Sequence, residues 1–127
     1  MKRFIVIPLI ILSLIFSAAL YNFMFVDQRI GEIKGSLEIS AELIERRRYV
    51  QGREKAENAL RLWENLNEYI GVVANSRDAE RVSLALNSAV RVLELGEYSD
   101  FLRSAEEASF FLDTLIYNES ISLANII

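Results

Sequence analysis

Glu54, Glu57, Glu64 and Glu68 recur at helical spacing. Two carboxylates brought together on one helix face can act as general acid and base, or as ligands for a hard cation. The same spacing serves a solvated helix surface, and nothing near these residues in the sequence would raise a carboxylate pKa. Arg46, Arg47, Arg48 and Arg53, with Lys55, crowd one short stretch and offer guanidinium groups to an anionic glycan, a phosphate, a lipid head group or a protein partner. Their plainer use is to complement the negative end of a helix dipole. The chain has no His and no Cys. The usual ligand sets for zinc, copper and haem are therefore missing, and no disulfide can staple a small core. A glycine-rich phosphate loop and a nucleophile constellation are also lacking. The residues assign no catalytic group, no cofactor and no metal ligand, and a carboxylate-dependent envelope enzyme is the weakest of the functional readings.

The elements that must position these side chains begin with an apolar run. Residues 4–26 are 23 consecutive positions without a charge, including Ile5, Val6, Ile7, Leu9, Ile10, Ile11, Leu12, Leu14, Ile15 and Phe16. About 20 apolar residues cross a hydrocarbon core of about 30 Å. The run predicts an N-terminal tip and transmembrane helix over 1–26, followed by a helical domain over 27–127. Lys2-Arg3 and Ser17-Ala18-Ala19 would also suit a cleavable signal peptide, whose apolar region is roughly 7 to 15 residues. The run's continuation through Tyr21, Phe23 and Val26 favours an uncleaved signal anchor. Absence of a Cys after Ala19 removes a lipoprotein anchor. Tyr21 suits the aromatic belt where a span leaves the bilayer.

Lys2, Arg3 and the α-amino group flank the run on one side, whereas Arg29 and Lys34 on the other are diluted by Asp27, Glu32 and Glu38. This bias predicts a cytoplasmic N-terminus, a single pass through the cytoplasmic membrane and an extracytoplasmic domain, although Arg46, Arg47 and Arg48 lie near enough to soften it. All 18 acidic residues but only 12 of the 14 basic ones follow residue 26, a net charge of −6. Such a surface does not favour nucleic acid, whose affinity rests on phosphate neutralisation.

The rest of the chain reads as helices with short connections. Ile30, Ile33, Leu37, Ala41 and Ile44 form an apolar stripe that continues directly from the span and predicts a helix ending near Gly52 as C-cap. A second stripe runs through Ala56, Ala59, Leu60, Trp63, Leu66, Ile70 and Val73 to a stop near Asn75. Ser76 or Asp78 is then the expected N-cap of a third helix, with Ala79, Val82, Leu86, Ala89, Val90 and Leu93 buried and Gly96 closing it. A fourth helix from about residue 99 carries Phe101, Leu102, Ala105, Ala108, Leu112, Leu115 and Ile116. The predicted fold is all-α, with the transmembrane helix followed by a small antiparallel four-helix bundle. Trp63, Leu66, Leu86 and Leu112 are the expected core anchors. Adjacent Phe110 and Phe111 point about 100° apart on a helix, so one of them should face outward.

The helices also repeat. Glu45-x3-Tyr49-x6-Ala56-Glu57-x-Ala59 returns as Glu94-x3-Tyr98-x6-Ala105-Glu106-x-Ala108, an offset of 49 residues. Two related helical hairpins follow from that spacing, each with a tyrosine near its bend and small alanines where helices approach closely. The pattern lacks the tetratricopeptide consensus, and two units are too few for a solenoid.

Ala108-Ser109-Phe110-Phe111-Leu112-Asp113, followed by Glu119-Ser120-Ile121-Ser122-Leu123-Ala124-Asn125-Ile126-Ile127, resembles the ending of domain-of-unknown-function family 4363. The resemblance extends to Lys2-Arg3, the apolar span, Trp63 and Val82-Ser83-Leu84-Ala85. It implies a small single-span membrane protein of an endospore-forming Gram-positive bacterium, and no established activity. Many relatives carry a Lys before the aromatic and a Glu-His pair after the leucines; here Ser109 and Asp113-Thr114 stand instead, so no role can rest on that histidine. Ile121, Leu123, Ile126 and Ile127 form an apolar tail expected to dock, either back on the bundle or into a partner's groove or a membrane surface. The leading expectation is a membrane-anchored interaction or structural module whose partners are lipid and another membrane or envelope protein. A small-ligand sensor using the bundle interior near Trp63 is the alternative.

Overall fold

Residues 2–70 and 76–126 are described by a computed structural model, apart from the side chains of Ser76 and Ile126. They form four helices: α1 (Lys2–Glu45), α2 (Tyr49–Ile70), α3 (Ser76–Glu94) and α4 (Tyr98–Ile126). No strand occurs among the described residues. The protein is all-α, and its first helix, near the N-terminus, is long and apolar enough to cross a membrane. α1 packs on α2 and α4, and α3 packs on the same two, while the diagonal pairs make no close backbone approach among the described residues. An up-down-up-down bundle results, in which the two hairpins pack on each other through α1 with α4 and α2 with α3. Val73, the stop near Asn75, the Ser76 side chain and the side chains of Ile126 and Ile127 lie outside the described residues.

α1 changes surroundings along its length without breaking. Its most apolar window buries nothing against the rest of the protein. From Val26 onward one face turns inward through Ile30, Ile33, Leu37 and Ile44. The change comes before the charges do: the Tyr69 hydroxyl hydrogen-bonds the Asn22 side-chain oxygen, and the Phe25 ring meets Tyr69 edge-on with centroids 5.0 Å apart. Bundle packing therefore starts inside the uncharged run, about four residues ahead of the boundary its charge pattern suggests. Trp63, Leu66, Leu86 and Leu112 are all buried, and Trp63 donates its indole N–H to Ser83 Oγ at 2.8 Å. Phe110 is exposed while Phe111 packs on the core, which divides the pair as helical geometry requires.

The first bend departs from expectation. α1 ends at Glu45 rather than near Gly52, and Gly52 lies buried within the first turn of α2. Its missing side chain serves close approach: a Cβ there would come within 2.6 Å of Ile44 Cδ1 and 3.3 Å of the Ser40 carbonyl. Ser40 Oγ donates to the Gly52 carbonyl (2.6 Å) and Ser36 Oγ to the Lys55 carbonyl (2.7 Å), which holds α1 and α2 in register. The residue that reverses the chain is Arg47, with φ 62°. Arg48 N–H donates to the Leu43 carbonyl (2.8 Å) and Arg47 N–H to that of Ile44 (3.0 Å), the crossed pair of a Schellman motif.

The second bend repeats this geometry 49 residues on. Glu97 N–H donates to Val92 (2.9 Å) and Gly96 N–H to Leu93 (3.1 Å), with Gly96 at φ 74°. Buried positions repeat with it: Ile30, Ile33, Leu37 and Ile44 correspond to Ala79, Val82, Leu86 and Leu93, and Ala56, Ala59, Trp63 and Leu66 to Ala105, Ala108, Leu112 and Leu115. The differences are volume exchanges. Gly52 with Ser36 and Ser40 in the first hairpin corresponds to buried Phe101 with Ala85 and Ala89 in the second.

Equivalent backbones with unlike residues set up a direct test. An L-residue in the left-handed region costs roughly 1 kcal/mol more than glycine. Arg47→Gly should therefore stabilise the bundle by about 0.5–1 kcal/mol, and Gly96→Ala should destabilise it by about 1 kcal/mol. Chemical denaturation of the detergent-solubilised protein, followed by circular dichroism, measures both; shifts of the same sign would contradict the shared turn.

Candidate functional site

The end of the bundle away from the span gathers both bends. Arg46, Arg47 and Arg48 make one turn, and Leu95, Gly96 and Glu97 the other. The tyrosines that follow them, Tyr49 and Tyr98, stack with centroids 3.9 Å apart and planes 7° from parallel. Since the two are equivalent under the 49-residue offset, each hairpin presents the same face of its bend to the other. Val50, next to Tyr49 in the chain, and Leu95, in the second bend, are 74% and 65% exposed.

The four arginines proposed for anion or partner contact divide into two groups. Arg53 is engaged, with Nε 3.1 Å from Glu57 and Nη2 3.7 Å from Glu94 across the hairpins. Arg46, Arg47 and Arg48 are exposed and pair with no carboxylate among the described residues. The same turn is built at residues 95–97 without an arginine, so the three guanidiniums are not needed to reverse the chain. Exposed Glu97 and Asp100 put negative charge on the second bend and the first turn of α4. A two-signed surface around exposed aliphatic side chains suits a protein of mixed charge better than a uniform polyanion.

The other candidate residues are more dispersed. Glu54, Glu64 and Glu68 are exposed, and Glu57 takes the Arg53 contact. None of these four lines the open grooves at Phe25–Tyr69, Lys34–Ser109 or Leu60–Glu94, nor does Trp63. The groove of about 240 Å³ between α1 and α4 has Leu37, Ala41 and Leu102 on its floor and Lys34, Glu38 and Glu106 on its rim. The tail does not fold back as a separate segment: residues 121–126 prolong α4, with Ile121 exposed and Leu123 half-buried.

Asp78 and Glu119 meet at the opposite end. Asp78, expected as a possible N-cap, is buried in the first turn of α3, where its carboxylate accepts a hydrogen bond from Asn118 Nδ2 (2.6 Å). Glu119 lies beside it, half-buried. Burial, and secondarily the charge of Asp78, raise its pKa above the ordinary value of 4.5. The repeat supplies the missed signal, because Glu119 falls on the position of buried Ile70 and so had to be drawn toward the core.

No family model, curated protein or solved structure matches this chain. Its functional surfaces must be judged on their own chemistry.

Because folding raises the Glu119 pKa, the folded state holds that proton more tightly than the unfolded one, and this carboxyl's contribution to stability declines as pH rises from 4.5 through the folded value. Glu119→Gln should leave stability unchanged at about pH 4 and increase it at about pH 7, since the amide keeps the shape and never ionises. Denaturation midpoints at the two pH values decide the matter; equal gains at both would mean that ionisation is not the cause.

Proposed function

We propose that this protein is a membrane-anchored helical interaction module that holds a recognition tip at a set height and angle above the outer face of the cytoplasmic membrane. The observation that carries the reading is the continuity of α1, which runs 44 residues from the apolar span into the bundle core without a break. A flexible linker would let the bundle tumble; a helix packed on two neighbours ties its axis to that of the span. At 1.5 Å per residue, the 23 steps from Asn22 to Glu45 lift the tip by about 35 Å. Lipid head groups of the same leaflet are then out of reach of Arg46, Arg47 and Arg48.

The tip's chemistry supports a protein as the partner. Stacked tyrosines give a rigid platform, Val50 and Leu95 supply apolar contact, and the arginine turn adds oriented donors; Tyr and Arg are enriched where binding energy concentrates. The Lys2-Arg3 flank supports the inward N-terminus and outward bundle. Membership of domain-of-unknown-function family 4363 belongs to the same reading, on the strength of residues 108–113 and 119–127, and it assigns no activity.

Photo-crosslinking amino acids placed at Val50 and Leu95 in the native cells provide the test. Adducts with a membrane or envelope protein, lost when Arg46, Arg47 and Arg48 are replaced by alanine, are the expected result. Recovery of only lipid and copies of the chain itself would end the proposal. Protease digestion of intact protoplasts checks orientation, with the bundle expected to be cleaved.

A further inference from the structure

The helices of the bundle end at a common height, and that height falls on the edge of the span. α1 and α4 run antiparallel in a register set by Lys34 Nζ, 2.5 Å from Asp113 Oδ1, and the groove above that pair is lined by Glu38, Ala41 and Glu45 of α1 and by Leu102, Ala105 and Ser109 of α4. Continued downward, this register sets Ile121 level with Val26 and Asn125 level with Asn22. α2 reaches the same level, where Tyr69 meets Asn22 and Phe25. From Phe4 to Asn22 the helix rises about 27 Å, close to the hydrocarbon thickness of about 30 Å. Residues 121–125 thus stand from about 0 to 6 Å above the hydrocarbon edge, within the head-group layer.

The residues at that height match the environment. Positions 120–127 carry no charged side chain, as residues 4–26 do not. Tyr21 and Tyr69 are 71% and 41% exposed there, and Tyr117 is 65% exposed about two turns higher. The remaining two of the five tyrosines are the stacked pair at the tip, so the exposed ones gather at the base. Tyrosine at this depth keeps its ring in the apolar boundary and its hydroxyl in water. Glu119, the last charge on α4 before this level, is half-buried and biased toward its neutral form, which lowers the cost of bringing that end near hydrocarbon.

We infer that the base of the bundle is itself a lipid-binding surface, with residues 120–126 of α4 seated in the head-group layer beside the exit of α1. The occupant is the bilayer rather than a partner chain, because this surface is continuous with the lipid-facing side of the span and lies at its depth. The inference rests on the span reading and extends it, since the protein then grips the membrane at two points and its axis cannot precess freely about α1.

The chain's lack of cysteine makes the test clean. Single-cysteine variants Ile121→Cys, Ala124→Cys, Leu84→Cys and Leu12→Cys of the full chain, labelled with an environment-sensitive nitrobenzoxadiazole dye, are reconstituted in phosphatidylcholine–phosphatidylglycerol vesicles. Circular dichroism and Trp63 emission check the fold. Labels at 12, 121 and 124 should emit to the blue of the label at 84 and lose at least half their intensity to nitroxide-bearing lipids, the shallow nitroxide acting best at 121 and 124. Water-like emission at 121 and 124 with lipid-quenched emission at 12 would overturn the inference and leave the span intact. Water-like emission at 12 would overturn both. Blue-shifted emission at 121 and 124 that lipid nitroxides do not quench would assign the surface to protein contact instead, and so also reject it.

Discussion

One backbone joins an apolar segment that packs on nothing to the core of the bundle, and the rest of the structure depends on how α1 does so. In hydrocarbon every amide needs a partner within its own helix, so the chain cannot loop until it has cleared the bilayer. Here it does not loop even then. The helix keeps its backbone bonds and changes only its side chains, from apolar all round to apolar on one face. Because Val26 and Ile30 are already core residues, the first buried layer of the bundle is laid down by the same helix that carries the apolar segment. The orientation of everything that follows is inherited from that layer.

The bundle is then completed by a doubled hairpin in which geometry is kept and volume is exchanged. Close approach of α1 and α2 needs Gly52 and two serine hydroxyls bonded to backbone carbonyls. The second hairpin fills the equivalent place with Phe101 and lines it with alanine. Both solutions reach close packing, and each suits only its own partner helix. Departures from this symmetry are the informative positions: Arg47 where glycine is cheaper, and Glu119 where isoleucine is buried.

Much of this was legible from residue spacing. The apolar stripes marked the inward faces of all four helices, because burial repeats every 3.6 residues whatever the neighbours are. The first bend was misplaced for a physical reason: glycine signals both a helix end and a close helix contact, and only packing distinguishes Gly52 from Gly96. A left-handed arginine gives no compositional warning, yet aligning Arg47 on Gly96 by the repeat would have exposed it. Of the two contacts that Arg53 makes, the one with Glu57 is an i,i+4 pair legible from spacing, whereas the one with Glu94 depends on where another helix arrives and has no trace in local sequence. The height of the α4 end likewise follows from interhelical register, which composition does not encode.

The serine contacts between α1 and α2 have a mechanical meaning. Sliding one helix past the other would strip the Ser36 and Ser40 hydroxyls of their acceptors while they stay buried, at about 1–3 kcal/mol each. α3 carries alanines at the equivalent places, and the side chains of α3 and α4 are pinned to one another near the base, where Asn118 meets Asp78. A pull applied at the tip would thus pass down the first hairpin as through a strut and enter the apolar segment along α1, while shear between α3 and α4 would be the first deformation to appear.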